Sequence, residues 1–175
     1  AETELFNNSA EGSGGAVHVA GGVAVFSSCT LTHNRAAGPA ESSGGALHVA
    51  GGKVALTNTL LQDNAASGSP QSIYVEGGSV IYALPTPLGY WAPAYERVPT
   101  WASGLLSTTA VATLPAQLAS YPYDCGPGFV GDQTGNSAQT DPGCARPCPE
   151  GFICPGGTVV PAACTAGGYC PEQFP

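Results

Sequence analysis

The chain has 175 residues, about one ordinary domain, and its 4 basic residues against 12 acidic ones give a net charge of −8. So few cations cannot form the basic surface that binds nucleic acid or an anionic membrane, which excludes both as partners. The chain combines 9% charged with 43% hydrophobic residues, which argues against a disordered protein.

The first half of the chain contains a repeat. Residues 14–22 (GGAVHVAGG) recur as residues 44–52 (GGALHVAGG), and residues 73–78 are a degenerate third copy. A Leu-x-x-Asn element opens the chain and follows the first two copies, ending at Asn8, Asn34 and Asn64. Repeats of this length predict stacked units rather than one globular core.

Within each unit the apolar residues alternate with a period of two, which predicts short strands. Val17 and Val19 share one face, and their equivalents in the second copy are Leu47 and Val49. The strands are separated by glycine corners, and no helical period is present. The pattern predicts an all-β parallel solenoid of about three coils over residues 1–84, with coils about 4.8 Å apart.

Several polar positions recur from coil to coil. The corner residues Asn8, Asn34 and Asn64 are expected to form a hydrogen-bonded ladder and to tolerate left-handed backbone geometry. His18, His48 and Tyr74 form a second column, which we expect to be an exposed ladder on the outer face. Metal binding or titration with pH is the alternative interpretation of the two histidines.

The paired motifs carry a family resemblance. Gly-Gly-Ala-Val and Gly-Gly-Ala-Leu, alternating with Leu-x-x-Asn, are similar to the GGAI and FxxN repeats of polymorphic outer-membrane proteins. The resemblance covers about residues 4–84. It implies a right-handed parallel β-helix of the kind found in large secreted and surface proteins, including those of algae and protists.

The rest of the chain divides into two regions. Residues 85–122 are rich in proline and aromatic residues and are predicted to be a linker or an irregular segment that covers the last coil. This region holds the longest uncharged run, but its prolines and Ser/Thr residues argue against insertion into a membrane. Residues 123–175 hold six cysteines and too little apolar mass for a core, so they are predicted to form a disulfide module.

The six cysteines of this module are Cys125, Cys144, Cys148, Cys154, Cys164 and Cys170, and fifteen pairings of them remain open. Zinc is a weak alternative because the region has no CxxC pair and no His. The Cys-Pro-x-Gly and Gly-Gly-Tyr-Cys-Pro phrases resemble ephrin-receptor-like and growth-factor-receptor-like repeats. This resemblance implies an extracellular module. Cys29 lies outside it and is predicted to be a buried free thiol, with a disulfide to another chain as the alternative.

No catalytic residues, metal or cofactor are predicted. Standard hydrolase, nucleotide-binding and metalloprotease motifs are absent from the sequence. Glu11 and Glu41 precede equivalent Gly-Gly pairs and are expected to lie close together. They leave a polysaccharide-active enzyme as the weakest of three functional hypotheses.

The favoured hypothesis is an extracellular structural protein that assembles by stacking of solenoid ends. The chain lacks Met and opens in mid-coil, so we expect a fragment or processed product whose partners are copies of itself or adjoining coils of a longer chain. The alternative is a secreted or cell-surface adhesin or receptor ectodomain that binds a glycan or a protein. Asn7 begins an N-glycosylation sequon. The expected assembly or binding surface comprises Leu5, Phe6, Tyr90, Trp91, Tyr95 and Trp101.

Overall fold

A computed structural model describes residues 2–38, 42–68, 72–108, 110–133, 139–165, 170–172 and 175. The fold is all-β: the described residues form 21 short strands, one 3-10 turn (Thr100–Ala102) and no α-helix. The described residues include no helix that is long and apolar enough to cross a membrane.

The repeats form the first twelve strands. They are β1 (Thr3–Phe6), β2 (Ser9–Ala10), β3 (Val17–Val19), β4 (Val23–Ser27), β5 (Cys29–Thr32), β6 (Arg35–Ala36), β7 (Leu47–Val49), β8 (Lys53–Thr57), β9 (Leu60–Gln62), β10 (Ala65–Ala66), β11 (Ile73–Val75) and β12 (Ser79–Ala83). Equivalent strands of successive repeats pair in parallel, in the series β1-β5-β9, β2-β6-β10, β3-β7-β11 and β4-β8-β12.

The register of these parallel pairs confirms the alignment predicted from the repeats. Val17 pairs with Leu47, which pairs with Ile73 on its other side. In the neighbouring sheet Leu56 pairs with Phe26 on one side and with Tyr82 on the other. A similar apolar side chain therefore lies beside each inward position, as the period of two requires.

The core lies between these sheets and is densest in the second repeat. Its fully buried members include Leu31, Leu47, Val54, Leu56, Leu61, Ile73, Val80 and Tyr82. Burial of each large apolar side chain contributes about 1.5–3 kcal/mol relative to exposure. The inward columns of the repeats are therefore a main source of the fold's stability.

The asparagine corners form the expected ladder. The side-chain oxygen of Asn34 accepts from the side-chain amide of Asn8 at 2.9 Å, and the side-chain oxygen of Asn64 accepts from that of Asn34 at 3.0 Å. The left-handed residue at each corner is the one before the ladder asparagine. These residues are Asn7, His33 and Asp63, with φ between 52° and 57°. The preceding residue makes the turn, which lets the asparagine side chain point into the stack.

Residues 85–122 are more regular than their composition predicts. They contain β13 (Tyr90–Trp91), β14 (Glu96–Arg97), β15 (Ala110–Thr113) and β16 (Gln117–Leu118). β15 pairs antiparallel with β12 and β14 with β15, while β16 pairs antiparallel with β11 and Tyr121 bridges to Leu61. Strands form here because the prolines of this region all lie outside them.

The same region also covers the outer face of the sheet that contains β4, β8 and β12. Ala55, Ile81 and Ala83 point outward from β8 and β12 and pack against Val111 and the 3-10 turn in a second apolar cluster. Trp101 packs against this cluster, and the Lys53 ammonium lies 5.6 Å from its ring centroid. This cover explains why outward residues of these strands are apolar.

The cysteine-rich region consists of short paired strands. They are β17 (Tyr123–Asp124), β18 (Phe129–Val130), β19 (Arg146–Pro147), β20 (Phe152–Ile153) and β21 (Ala162–Ala163), with β17 on β13, β18 on β19 and β20 on β21. All six cysteines form disulfides, in the pairs Cys125–Cys144, Cys148–Cys154 and Cys164–Cys170. Three disulfides indicate an oxidising environment of the extracellular type.

Candidate functional site: an uncovered strand edge and a histidine pair

The first repeat has an uncovered edge. β1, β2, β3 and β4 are each the outermost strand of their sheet, with one strand neighbour apiece among the described residues. In β4 the flanking Ser28 N–H donates to the Thr57 carbonyl, and the Gly22 carbonyl accepts from the Lys53 N–H. Backbone groups of successive residues point to opposite sides of a strand, so those of Val23 and Val25 point away from β8. The edge therefore presents unpaired donors and acceptors.

The side chains at this edge are apolar. Leu5, Val17, Ala24 and Phe26 are half-buried, whereas their equivalents one repeat later, Leu31, Leu47, Val54 and Leu56, are fully buried. On the outer face of β4, Val23 is 52% exposed and Val25 43% exposed. A further β-strand layer placed on this edge would bury the inward side chains Leu5, Val17, Ala24 and Phe26 and pair the free backbone groups.

The opposite end of the repeats differs because residues 85–122 already occupy it. β15, β16 and the Tyr121 bridge pair with three different strands of the last repeat. The outermost described strands at this end are β10, β14 and β16, with two residues each, and β9, with three, and such short edges offer little for another chain to pair with. The two ends of the repeats are therefore unequal.

The six residues expected to form an assembly or binding surface lie in separate places. Leu5 and Phe6 lie on β1 at the uncovered edge, where Phe6 is 54% exposed. The remaining four lie in residues 85–122, far along the chain from β1, and they are Tyr90, Trp91, Tyr95 and Trp101.

Among these four, Trp101 is the clearest departure from the expectation, because its ring packs against the second apolar cluster. Trp91 contacts Tyr123, with ring centroids 5.1 Å apart, and Tyr95 is 72% exposed. Tyr90 donates to the Gln62 side-chain oxygen at 3.2 Å. Burial, with a smaller contribution from the charge of Asp124, raises the pKa of Tyr90.

The column of His18, His48 and Tyr74 forms, but it is not an exposed ladder. The rings stack in order, with centroids 4.8 Å apart for His18–His48 and 5.5 Å apart for His48–Tyr74. His18 is exposed and Tyr74 half-buried, while His48 is only 5% exposed. His48 is buried because an aromatic ring covers each side of it.

The two histidines also face each other through nitrogen atoms. The His18 Nδ1 lies 3.0 Å from the His48 Nδ1, and the Nε2 of His48 lies 3.6 Å from a carboxylate oxygen of Glu76. Burial lowers the pKa of His48, and the charge of His18 lowers it further, while Glu76 opposes both. Sequence reasoning missed Glu76, although it follows Tyr74 by two positions and so points to the same side of the chain.

Cys29 is half-buried rather than buried. It forms no disulfide in the described residues, and its Sγ lies 3.4 Å from the Ser27 carbonyl oxygen. Its equivalent Thr59 is fully buried one repeat later, where the Tyr82 hydroxyl hydrogen-bonds with its backbone, whereas of the described residues only Thr3 pairs with Cys29 on the side of the uncovered edge. The thiol therefore lies near the uncovered edge.

Two remaining hypotheses concern acidic and metal-binding groups. Glu41, the expected neighbour of Glu11, lies outside the described residues, so their predicted proximity stays a prediction. Within the described ranges, no group of three or more His, Cys, Asp or Glu side chains is arranged to hold a metal ion. No protein-family model, curated protein or solved structure matches the chain.

Proposed function

We propose that the protein is an extracellular structural protein, a subunit or segment of a filament, cell-surface hair or matrix. In this proposal residues 1–84 are a short right-handed parallel β-solenoid of about three coils. The solenoid assembles by stacking of its end onto further coils, and the disulfide module stabilises the other end of the chain.

The observation that carries the proposal is the uncovered edge of β1–β4. It combines outward backbone groups, such as those of Val25, with inward apolar side chains, such as Leu5 and Phe26, whose equivalents Leu31 and Leu56 are fully buried. An edge of this kind is a template for pairing with another strand, and soluble proteins normally cover or charge it. A coil stacked on this edge would hydrogen-bond to the unpaired backbone groups and bury the half-exposed apolar side chains.

The unequal ends restrict how such stacking proceeds. Among the described residues only the first-repeat end offers outermost strands of four or five residues, since β15 and β16 pair with β12 and β11 and the other outermost strands have two or three residues. Two copies joined through like edges would form a closed pair, whereas a contact between unlike surfaces extends without limit. The edge also suits coils that belong to the same, longer chain.

Composition agrees with a durable extracellular material. The low fraction of charged residues suits close stacking of glycine-rich turns. The disulfides are of a kind that forms and persists in an oxidising extracellular environment. Secretion to the cell surface is part of the same proposal.

A second candidate function, an adhesin or receptor ectodomain, is favoured by one observation. Trp91 and Tyr123 form an aromatic pair of which Tyr123 is 39% exposed, and Tyr95 is 72% exposed. Exposed aromatic faces are typical of protein and glycan binding surfaces. This candidate requires a ligand for residues 91–123 and no coil on the first-repeat edge.

Electron microscopy of the oxidised full chain tests the structural proposal, together with two variants of the edge. Val25→Pro removes a backbone N–H that points away from β8, so it blocks pairing at the edge without removing a hydrogen bond to β8. Val25→Ala is the matched control because it keeps the N–H. We expect ordered assemblies from the natural chain and from V25A, and dispersed particles from V25P. Dispersed particles from all three would contradict the proposal and favour the adhesin.

A further inference from the structure

The histidine pair is arranged like two ligands of one metal ion. The two Nδ1 atoms are 3.0 Å apart, one on β3 and one on β7. With metal–nitrogen bonds of about 2.0–2.1 Å, the two bonds from an ion bound to both nitrogen atoms would make an angle of about 91–97°. That angle fits adjacent positions of a square-planar or octahedral complex better than a tetrahedral one, and Cu²⁺ and Ni²⁺ favour such geometry.

Glu76 completes the arrangement from the other side of His48. Its carboxylate lies 3.6 Å from the His48 Nε2 and favours a proton on that atom. With the proton on Nε2, the Nδ1 of His48 carries a lone pair and can accept a hydrogen bond from the His18 Nδ1, which lies 3.0 Å away. A carboxylate behind the second nitrogen is the usual outer partner of a metal-binding histidine, because it fixes the tautomer and makes the ligand more basic.

We propose that His18 and His48 bind a divalent transition-metal ion, Cu²⁺ or Ni²⁺ before Zn²⁺, through their two Nδ1 atoms, with water in the remaining positions. Without metal, His18 Nδ1–H donates to the His48 Nδ1. When the ion binds, His18 loses that proton to solvent and takes one up on Nε2, which its exposed ring allows. The net proton count of two neutral imidazoles does not change.

A bound ion at this place would join the first repeat to the second. β3 is the outermost strand of its sheet, and its neighbour is β7. The metal would therefore hold the edge strand against the rest of the stack. The folded protein would gain stability as the concentration of free ion rises, because the unfolded chain does not hold the two imidazoles together.

The test is calorimetric titration of the oxidised full chain with Ni²⁺, together with nitrogen hyperfine coupling in the electron paramagnetic resonance spectrum of Cu²⁺. All proteins carry Cys29→Ser, so that the free thiol contributes nothing. We expect one ion per chain, two coordinated imidazoles, and affinity that falls at least tenfold in His18→Ala. Glu76→Gln keeps both ligands and should weaken binding by about tenfold.

The matched control is His33→Asn, which removes an exposed histidine whose φ of 57° an asparagine tolerates. It should bind Ni²⁺ as tightly as the parent. His18 is exposed, so H18A should fold normally, and circular dichroism verifies this. Equal binding by the parent and H18A would overturn the proposal and identify the ion as adventitious; so would a spectrum with one coordinated nitrogen.

Discussion

The side-chain oxygen of Asn64 accepts two hydrogen bonds from Asn34, one from its backbone N–H at 2.9 Å and one from its side-chain amide at 3.0 Å. The Asn34 amide also donates to the Leu5 carbonyl at 2.8 Å, so one side chain links three successive repeats. Asn34 is 1% exposed, and in such surroundings each of these groups would be costly to leave unpaired.

Asn34→Ala should therefore lower the free energy of unfolding by about 2–3 kcal/mol, since it leaves buried donors and acceptors without partners. Urea denaturation of the oxidised protein measures the change. Asn8→Ala is the control, because Asn8 is exposed and its side chain makes one bond of the ladder. It should cost less than about 1 kcal/mol. Equal losses of unfolding free energy in N34A and N8A would contradict the larger contribution of the buried Asn34 to stability.

Tyr82 and Tyr121 provide a second matched comparison. Both are about 1% exposed, with ring centroids 4.8 Å apart, and burial raises the pKa of both phenols. The Tyr82 hydroxyl donates to the Thr59 carbonyl at 2.7 Å and accepts from the Thr59 N–H at 3.0 Å. The Tyr121 hydroxyl has no hydrogen-bond partner among the described residues.

Tyr82→Phe should destabilise the fold by about 2–3 kcal/mol, because the backbone of the fully buried Thr59 loses two partners. Tyr121→Phe should be neutral or stabilise by up to about 1 kcal/mol, since it removes a buried group that has no partner. Thermal unfolding of the two variants measures the difference. A larger loss in Y121F than in Y82F would refute this assignment of the two hydroxyls.

The repeat and the register of its parallel strands could be predicted from the sequence. Side-chain alternation and the asparagine corners are local patterns, and together they specify which residues of successive repeats lie side by side. Leu31 and Leu61 are aligned by the repeat alone, and they pair as aligned. The cover formed by residues 110–118 was not predictable as strands. Its pairing with β11 and β12 depends on partners about 30–45 positions away, and no period links the two segments.

The candidate site was predictable only in part for a similar reason. The column of His18 and His48 follows from the repeat, but burial of His48 depends on Tyr74 and on ring stacking that a pattern does not specify. The sequence predicts an open first repeat and a segment over the last coil, but it does not specify which backbone groups of β4 point away from β8. Alternative disulfide pairings were likewise separated by geometry and not by spacing.

The lowered pKa of His48 predicts a dependence of stability on pH. The folded state holds this imidazole neutral, so between its folded pKa and the ordinary value of 6.5 the unfolded chain binds more protons. Stability should therefore fall as the pH drops from about 7.5 through 6.5 toward the folded pKa. The facing groups are His18 on β3, Tyr74 on β11 and Glu76 after it, and Glu76 limits the effect.

Urea denaturation in chelator-treated buffer at pH 7.5 and 5.5 measures this dependence. His48→Tyr should reduce the difference between the two pH values, because tyrosine occupies the equivalent position of the next repeat and does not titrate in this range. An undiminished pH dependence in H48Y would assign the effect to other groups.

The disulfides should contribute unequally to the stability of residues 123–175. Cys125–Cys144 joins residues 19 positions apart, whereas Cys164–Cys170 spans 6. A longer loop loses more conformational entropy when closed, so the first bond should contribute about 3 kcal/mol and the second about 2 kcal/mol. The difference should be visible because, among the described residues, the local apolar cluster consists of Val130 and one other disulfide, Cys148–Cys154.

Limited proteolysis of two double variants tests this order. Cys125→Ala with Cys144→Ala should expose the region to cleavage faster than Cys164→Ala with Cys170→Ala, with mass spectrometry locating the cuts after residue 123. The parallel strands β1–β12 should stay protected in both, because they pair with one another and with residues 110–121, all of which lie outside the disulfide loops. Faster cleavage of the second variant, or early cuts within residues 3–83, would show that loop length does not govern stability here.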